Sequence, residues 1–321
     1  MITNKYSVGC FGKLPKFADF VKFNSGNNEI ILFDKWLQNG LQYSKTKLNT
    51  SFDVSYSTAD TVQFVFPIID STNTLLGTFI SSNDKSGRKY PFIISTPINH
   101  SIDSENSHLL PLIFEDLFSS SKRTICKMKE IDKHDDIITE IENNIKNIET
   151  NFSEKKMQYQ EYTNRTTADN LWNGIFGDFE DQRKYLIFYN LTEILLPFRN
   201  KQINNFTLGL KIPIVPENKF FYLNICFWID VCFKLTGNAN IKPFLFWSKK
   251  STKTERYLIL FLNQPSYNNY AHFINPSHII DSICLTDREG NIENCMQSLN
   301  DKYKSILEQK DLSLSELLQN I

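Results

Sequence analysis

Apolar and polar positions along the chain separate into two periods. Residues 6–11 read as a short strand that runs into the segment GCFGKLPKFADFV, Gly9–Val21. After a turn rich in Asn, Ser and Gly (24–28), Ile30, Phe33, Leu37, Leu41 and Leu48 recur at helical spacing with Trp36 beside them. That pattern predicts a helix over about 29–48, with Asn28 as its N-cap. Three β-rich segments follow at 61–69, 75–82 and 90–98. In the first, Val62, Phe64 and Phe66 alternate with Gln63, Val65 and Pro67, which suits a strand with one strongly buried face. The connector Ser81-Ser82-Asn83-Asp84-Lys85-Ser86-Gly87-Arg88 is a turn by composition.

From about 101 to 160 the period changes to helical. Leu109, Leu110, Leu112, Ile113, Leu117 and Phe118 predict an amphipathic helix; Ile137, Ile141, Ile145 and Ile148 share one face of a charge-dense stretch. The bland account of that stretch is a solvated helical insert, the sharper one a partner-binding helix. A helix is expected near 185–196, and strands at 207–214, 219–233, 241–247 and 256–263. Within 220–233 the apolar run is interrupted by Asn224 and Asp230 and is too short to cross a bilayer, so it reads as one or two central strands. Leu312, Leu314, Leu317 and Leu318 predict a docked terminal helix. Strands come in neighbouring runs separated by long helical stretches, which gives an α+β class: a mainly antiparallel sheet flanked by helices, with a charged helical insert in the middle. The expected division is 1–115, 116–165 for the insert, 166–275 for the second half of the core, and 276–321 for a helical tail.

Composition narrows the function classes. The 321 residues are 41% hydrophobic and 22% charged, as in a folded core. With 35 basic and 36 acidic residues the net charge is −1, so no global field draws nucleic acid or anionic lipid. Met1–Tyr6 has no apolar signal-like core, and direct membrane insertion is not expected. The six Cys form no C-x-x-C pair, and Cys10, Cys226 and Cys232 lie in apolar runs, which fits reduced thiols in the cytoplasm.

The chemical motifs are sparse. A phosphate loop needs Gly-x4-Gly-Lys-Ser/Thr, whereas only two residues separate Gly9 from Gly12, Lys13 precedes Leu14, and Pro15 removes an amide donor. His272 and His278 flank Pro276 at a spacing that does not suit two ligands on one helix face. No Gly-x-Ser-x-Gly elbow occurs. Asp19 and Asp84 read either as turn-capping carboxylates or as ion-pair partners of Lys13 or Arg88 that shape the loop surface. Nothing supplies a metal cluster, a cofactor site or a catalytic base. Lys13, Phe17, Phe20, Lys22 and Phe23 mix rings and charge as interface centres do, with Phe17, Phe20 and Phe23 spaced for one face of a helical turn; equally, the rings belong to the core.

Four segments then fall into a known order: GCFGKLPKFADFV, FDKWLQNGLQYSKTKL (33–48), VQFVFP with LLGTFISS (62–67 and 75–82), and NDKSGRKYPFIIST (83–96). Together they resemble the N-terminal region of the TagF family of type VI secretion-associated regulators. The matching positions are Gly9, Phe11, Gly12, Lys13, Leu14, Pro15, Asp19, Phe20 and Val21; Asp34, Trp36, Leu37 and Gln38; and Ser82, Asp84, Gly87, Arg88, Tyr90 and Pro91. A weaker echo lies in PFLFWSKKSTKTERYLILFLNQP (243–265). Three positions depart from the family pattern: Ala18 replaces a Gly, Ser81 a Pro and Phe33 a Trp. The resemblance implies a cytoplasmic, non-enzymatic accessory protein that restrains type VI secretion after translation by engaging a forkhead-associated (FHA) scaffold protein. The acidic metal motif of the phosphatase domain fused to some relatives is not found. Lys13, Phe17, Asp19, Phe20, Asp84 and Arg88 are the residues expected at the partner surface. A small hydrolase using Asp19, Asp84 and Arg88, or a structural subunit of the apparatus, are the alternatives.

Overall fold

One nine-stranded sheet runs through the protein in a computed structural model that describes residues 6–69, 71–99, 104–145, 151–199, 207–216, 219–248, 256–278 and 280–321. Its strands are β1 (Gly9–Gly12), β2 (Val21–Phe23), β3 (Val62–Pro67), β4 (Asn73–Ile80), β5 (Phe92–Asn99), β6 (Gly209–Ile214), β7 (Phe244–Ser248), β8 (Arg256–Phe261) and β9 (Ile283–Leu285). They lie in the order β2-β1-β5-β4-β3-β7-β8-β6-β9. Every neighbouring pair is antiparallel except β6 and β9. The fold is α+β.

Helices cover both faces. In chain order they are α1 (Asn28–Leu48), α2 (Phe52–Ser57), α3 (Leu110–Ile113), α4 (Glu115–Lys127), α5 (His134–Ile145), α6 (Phe152–Arg165), α7 (Ala168–Phe176) and α8 (Arg183–Arg199). They continue with α9 (Phe221–Thr236), α10 (Tyr270–Ile274), α11 (Ile292–Ser298), α12 (Asp301–Leu307) and α13 (Leu314–Asn320). On one face, Phe33 and Trp36 of α1 stack on Phe64, Phe66 and Phe246 of the sheet. On the other, α3 to α9 and α11 to α13 build the larger core.

Strand β3 is buried on both faces, not one. Val62, Phe64 and Phe66 join the α1 core while Val65 joins the other, as a central strand between helical layers requires. Gln63 is tolerated inside because its amide is fully engaged. Nε2 donates to the Phe118 carbonyl at 2.7 Å, and Oε1 accepts from Trp247 Nε1 at 2.6 Å.

The stretch expected as strands over 219–233 is instead the helix α9. It is buried almost all round, so the hydrophobic period that separates helix from strand is erased. The two polar interruptions are its anchors: Asn224 Oδ1 accepts from the Val215 backbone N–H, and Asp230 accepts from the Tyr159 hydroxyl at 2.9 Å. Gly237, in the left-handed conformation, ends it. Helix α1 is as expected, but its N-cap is Asn27, whose side chain accepts from Ile30 N–H. Gly40 in its middle has no substitute in kind, because an added Cβ would lie 2.4 Å from Cβ of Tyr270 on α10. The charged middle segment seats Ile137, Ile141 and Ile145 in the core; Ile148 lies outside the described residues. Strand β9, inside the expected helical tail, was not legible as a strand: three residues are too few to show a period.

Candidate functional site

The opening loop is built around a bend, not a helical turn. Strand β1 ends at Gly12, whose φ of 136° and contact with Pro91 leave no room for a side chain: an added Cβ would sit 2.2 Å from the Pro91 carbonyl oxygen. The chain turns at Pro15 and Lys16, closes with Phe17 N–H on the Leu14 carbonyl, and re-enters the sheet as β2. Phe17 and Phe23 therefore pack toward the larger core and Phe20 toward the α1 core. Phe17 is buried and meets the His134 ring at the start of α5 edge-on, with centroids 4.7 Å apart. Phe20 is half-buried, stacked on Phe11 and edge-on to Tyr90.

Asp84 lies beneath this loop with its side chain fully buried. Its Oδ1 accepts from the backbone N–H groups of Ser86 and Arg88 and from the Ser86 hydroxyl at 2.7 Å. Its Oδ2 accepts from Lys13 Nζ at 2.9 Å and Arg88 Nε at 2.7 Å. One carboxylate thus caps its own turn and pairs with two cations, so both readings of Asp84 hold together. Burial alone would raise its pKa. Lys13, the Ser86 hydroxyl and Arg88 outweigh that and hold the carboxyl well below the usual carboxylate range. Arg88 extends further to donate from Nη2 to the Ala18 carbonyl at 2.8 Å, and Lys85 N–H donates to the Phe17 carbonyl. Ala18 has no positive φ, so the replacement of a glycine there carries no backbone strain.

The third motif closes the same knot. The Tyr90 hydroxyl donates to Asp34 of α1, and Trp36 Nε1 donates to the Pro265 carbonyl at 2.9 Å. Burial first, then the charge of Asp34, push the Tyr90 phenol far above its usual range. The motif residues that are far apart in sequence are hence neighbours around Asp84 and Tyr90.

Chemically the knot is saturated. Asp84 spends its acceptor capacity on five donors, and Lys13 is buried over the Phe20 ring, 5.2 Å from its centroid. What faces solvent is Lys16, Asp19, Lys22, Lys85 and the largely exposed Arg88. The expected site residues therefore divide: Lys13, Asp84 and Phe17 form the frame, Phe20 is at its rim, and Asp19 and Arg88 are on the surface. Lys16 and Lys85 were missed as surface residues, although each follows a turn signal, Pro15 or Asp84. Among the described residues no group of His, Cys, Asp or Glu is arranged to hold a metal ion, and no helix is long and apolar enough to cross a membrane.

The same residues lie within the span of a family match. Residues 9–145 match the TagF N-terminal domain, Type VI secretion system-associated. Over that span the chain carries a domain of the TagF N-terminal type. The TagF domain thus runs from β1 through α5 and takes in Lys13, Asp34, Asp84, Arg88 and Tyr90. No curated protein is significantly similar to the chain. Among solved structures, the crystal structure of PA0076 from Pseudomonas aeruginosa PAO1 at 2.05 Å resolution is similar at 13% identity, over 85% of this chain and 96% of that one, with a TM-score of 0.46. The chain is a type VI secretion-associated accessory protein by its TagF domain.

Proposed function

We propose that this protein restrains type VI secretion after translation, in the cytoplasm and without catalysis, by binding an FHA-domain scaffold protein through the exposed side of the loop 15–22 and the turn 85–88. One observation carries the reading. The buried Lys13–Asp84–Arg88 cluster fixes two loops against each other and leaves a mostly cationic surface, with Lys16, Lys22, Lys85 and Arg88 beside Asp19. A surface ordered before binding loses little entropy on association, which favours recognition by shape and charge. The hydrolase alternative draws no support from Asp84, since a carboxylate held ionised by two cations is a poor proton acceptor.

The test is co-purification with an FHA-domain protein of the type VI secretion system, using Lys16→Glu/Lys85→Glu. Both side chains are exposed, and neither belongs to the ion-pair cluster. Loss of the complex with an unchanged Tm supports the reading. An FHA-domain protein that never associates with the wild-type chain, together with unchanged secretion in a deletion strain, overturns it. Stoichiometric recovery with assembled sheath or baseplate would mark a structural subunit instead.

A further inference from the structure

At the end of the sheet away from β2, a cavity of about 450 Å³ lies between β6, β8, α10 and the turn after β9. That volume is in the range of small-molecule sites. Lys211 alternates along β6 with Leu210 and Ile212, which face the larger core, so Lys211 points to the α1 side and into this cavity. Its ammonium lies 4.3 Å from the Tyr257 ring centroid, and Arg288 Nη2 donates to the Tyr257 hydroxyl at 3.0 Å. His272 of α10 also lines the cavity and is only 4% exposed.

The tautomer of His272 follows from its partner. Nδ1 is 3.2 Å from the His278 carbonyl oxygen, which can only accept, so Nδ1 carries the hydrogen and Nε2 presents a lone pair. Nε2 is buried with no hydrogen-bond partner among the described residues. Buried polar atoms are normally satisfied, and an orphan in the wall of a cavity points to a group that arrives from outside. Burial first and then the charge of Lys211 push the imidazole down to about 4, so it is neutral at pH 7. Among the described residues no group of His, Cys, Asp or Glu around Nε2 is arranged to hold a metal ion. Of the two carboxylates lining the cavity, Asp60 and Glu289, the latter accepts from the Leu285 backbone N–H at 3.0 Å. The rest of the wall mixes apolar residues, Phe273 and Ile283 among them, with Ser248, Ser277 and His278.

We propose that this cavity binds a small organic anion that carries a hydroxyl or N–H group, with the anion against Lys211 and Arg288 and the donor on His272 Nε2. The site lies apart from the Asp84 knot, so its fate is independent of the partner-binding reading.

The experiment titrates the full chain with L-malate, glycerol-3-phosphate and succinate at millimolar concentration. Binding is followed by thermal shift and by the ring nitrogen resonances of His272. Malate and glycerol-3-phosphate, which separate a carboxylate from a phosphate source, are both anions with a hydroxyl. At least one is expected to raise Tm and move the Nε2 resonance. Succinate, which lacks the donor, is expected to bind at least roughly tenfold more weakly than malate. Arg288→Gln should weaken the bound anion roughly tenfold, read against the variant's own apo Tm, because Arg288 also lies 3.9 Å from the buried Asp287 carboxylate. An unmoved Nε2 resonance with every probe overturns the proposal, as does binding unchanged by Arg288→Gln or equal binding of malate and succinate.

Discussion

Lys13 is 8% exposed, and Asp84 and the face of Phe20 compensate its charge among the described residues. Truncating one member of such a pair strands the other. Lys13→Met is therefore expected to lower Tm by roughly 5–10 °C, read by calorimetry, with the partner surface disturbed as a consequence. The pair also sets an acid limb. The Asp84 carboxyl titrates in the fold well below its ordinary 3.8, so its contribution is complete above about pH 5 and is lost as pH falls through 3.8 toward the folded value. Asp84→Asn should be less stable at pH 7 and should show a shallower loss below pH 5. His272 gives a second window. Its folded value of about 4 lies below 6.5, so neutral imidazole stabilises the fold above 6.5 and the contribution is lost as pH falls from there to about 4. His272→Gln should flatten the slope between those two values in a pH series of unfolding free energies.

Among the elements, α1 holds the knot to the sheet. Trp36 packs on Phe66, Phe246, Tyr270 and Phe273 and donates to Pro265, so Trp36→Ala is expected to cost about 3–5 kcal/mol in denaturant unfolding. Gly40→Ala should cost about 1–3 kcal/mol, because the new methyl meets Tyr270 before it meets solvent. Legibility followed burial at this scale. Helix α1 was readable because one of its faces is wet, and β4, β5, β7 and β8 because their apolar runs were bounded by turn residues. Helix α9 was not, since a helix buried all round carries no amphipathic period, and its Asn224 and Asp230 looked like interruptions when they are anchors. In the loop, the motif residues were visible in sequence but their depth was not. Lys13 and Arg88 have similar sequence surroundings, yet one is in the frame and the other reaches solvent through contact with Ala18, 70 residues away.

Across the whole molecule, the TagF domain of residues 9–145 shares its sheet with strands from the second half: β3 pairs with β7. Deleting residues beyond 145 would expose the β3 edge and the α1 core, so the two halves are expected to fold together in a single calorimetric transition. The surface claimed for partner binding lies at the β2 end of the sheet, and the cavity with His272 at the other. The most direct test of the central claim is the affinity of the full chain for the proposed FHA-domain partner, measured by calorimetry for wild type and for Lys16→Glu/Lys85→Glu. The reading predicts a loss of roughly tenfold or more with stability unchanged. Equal affinity for the two proteins would contradict it.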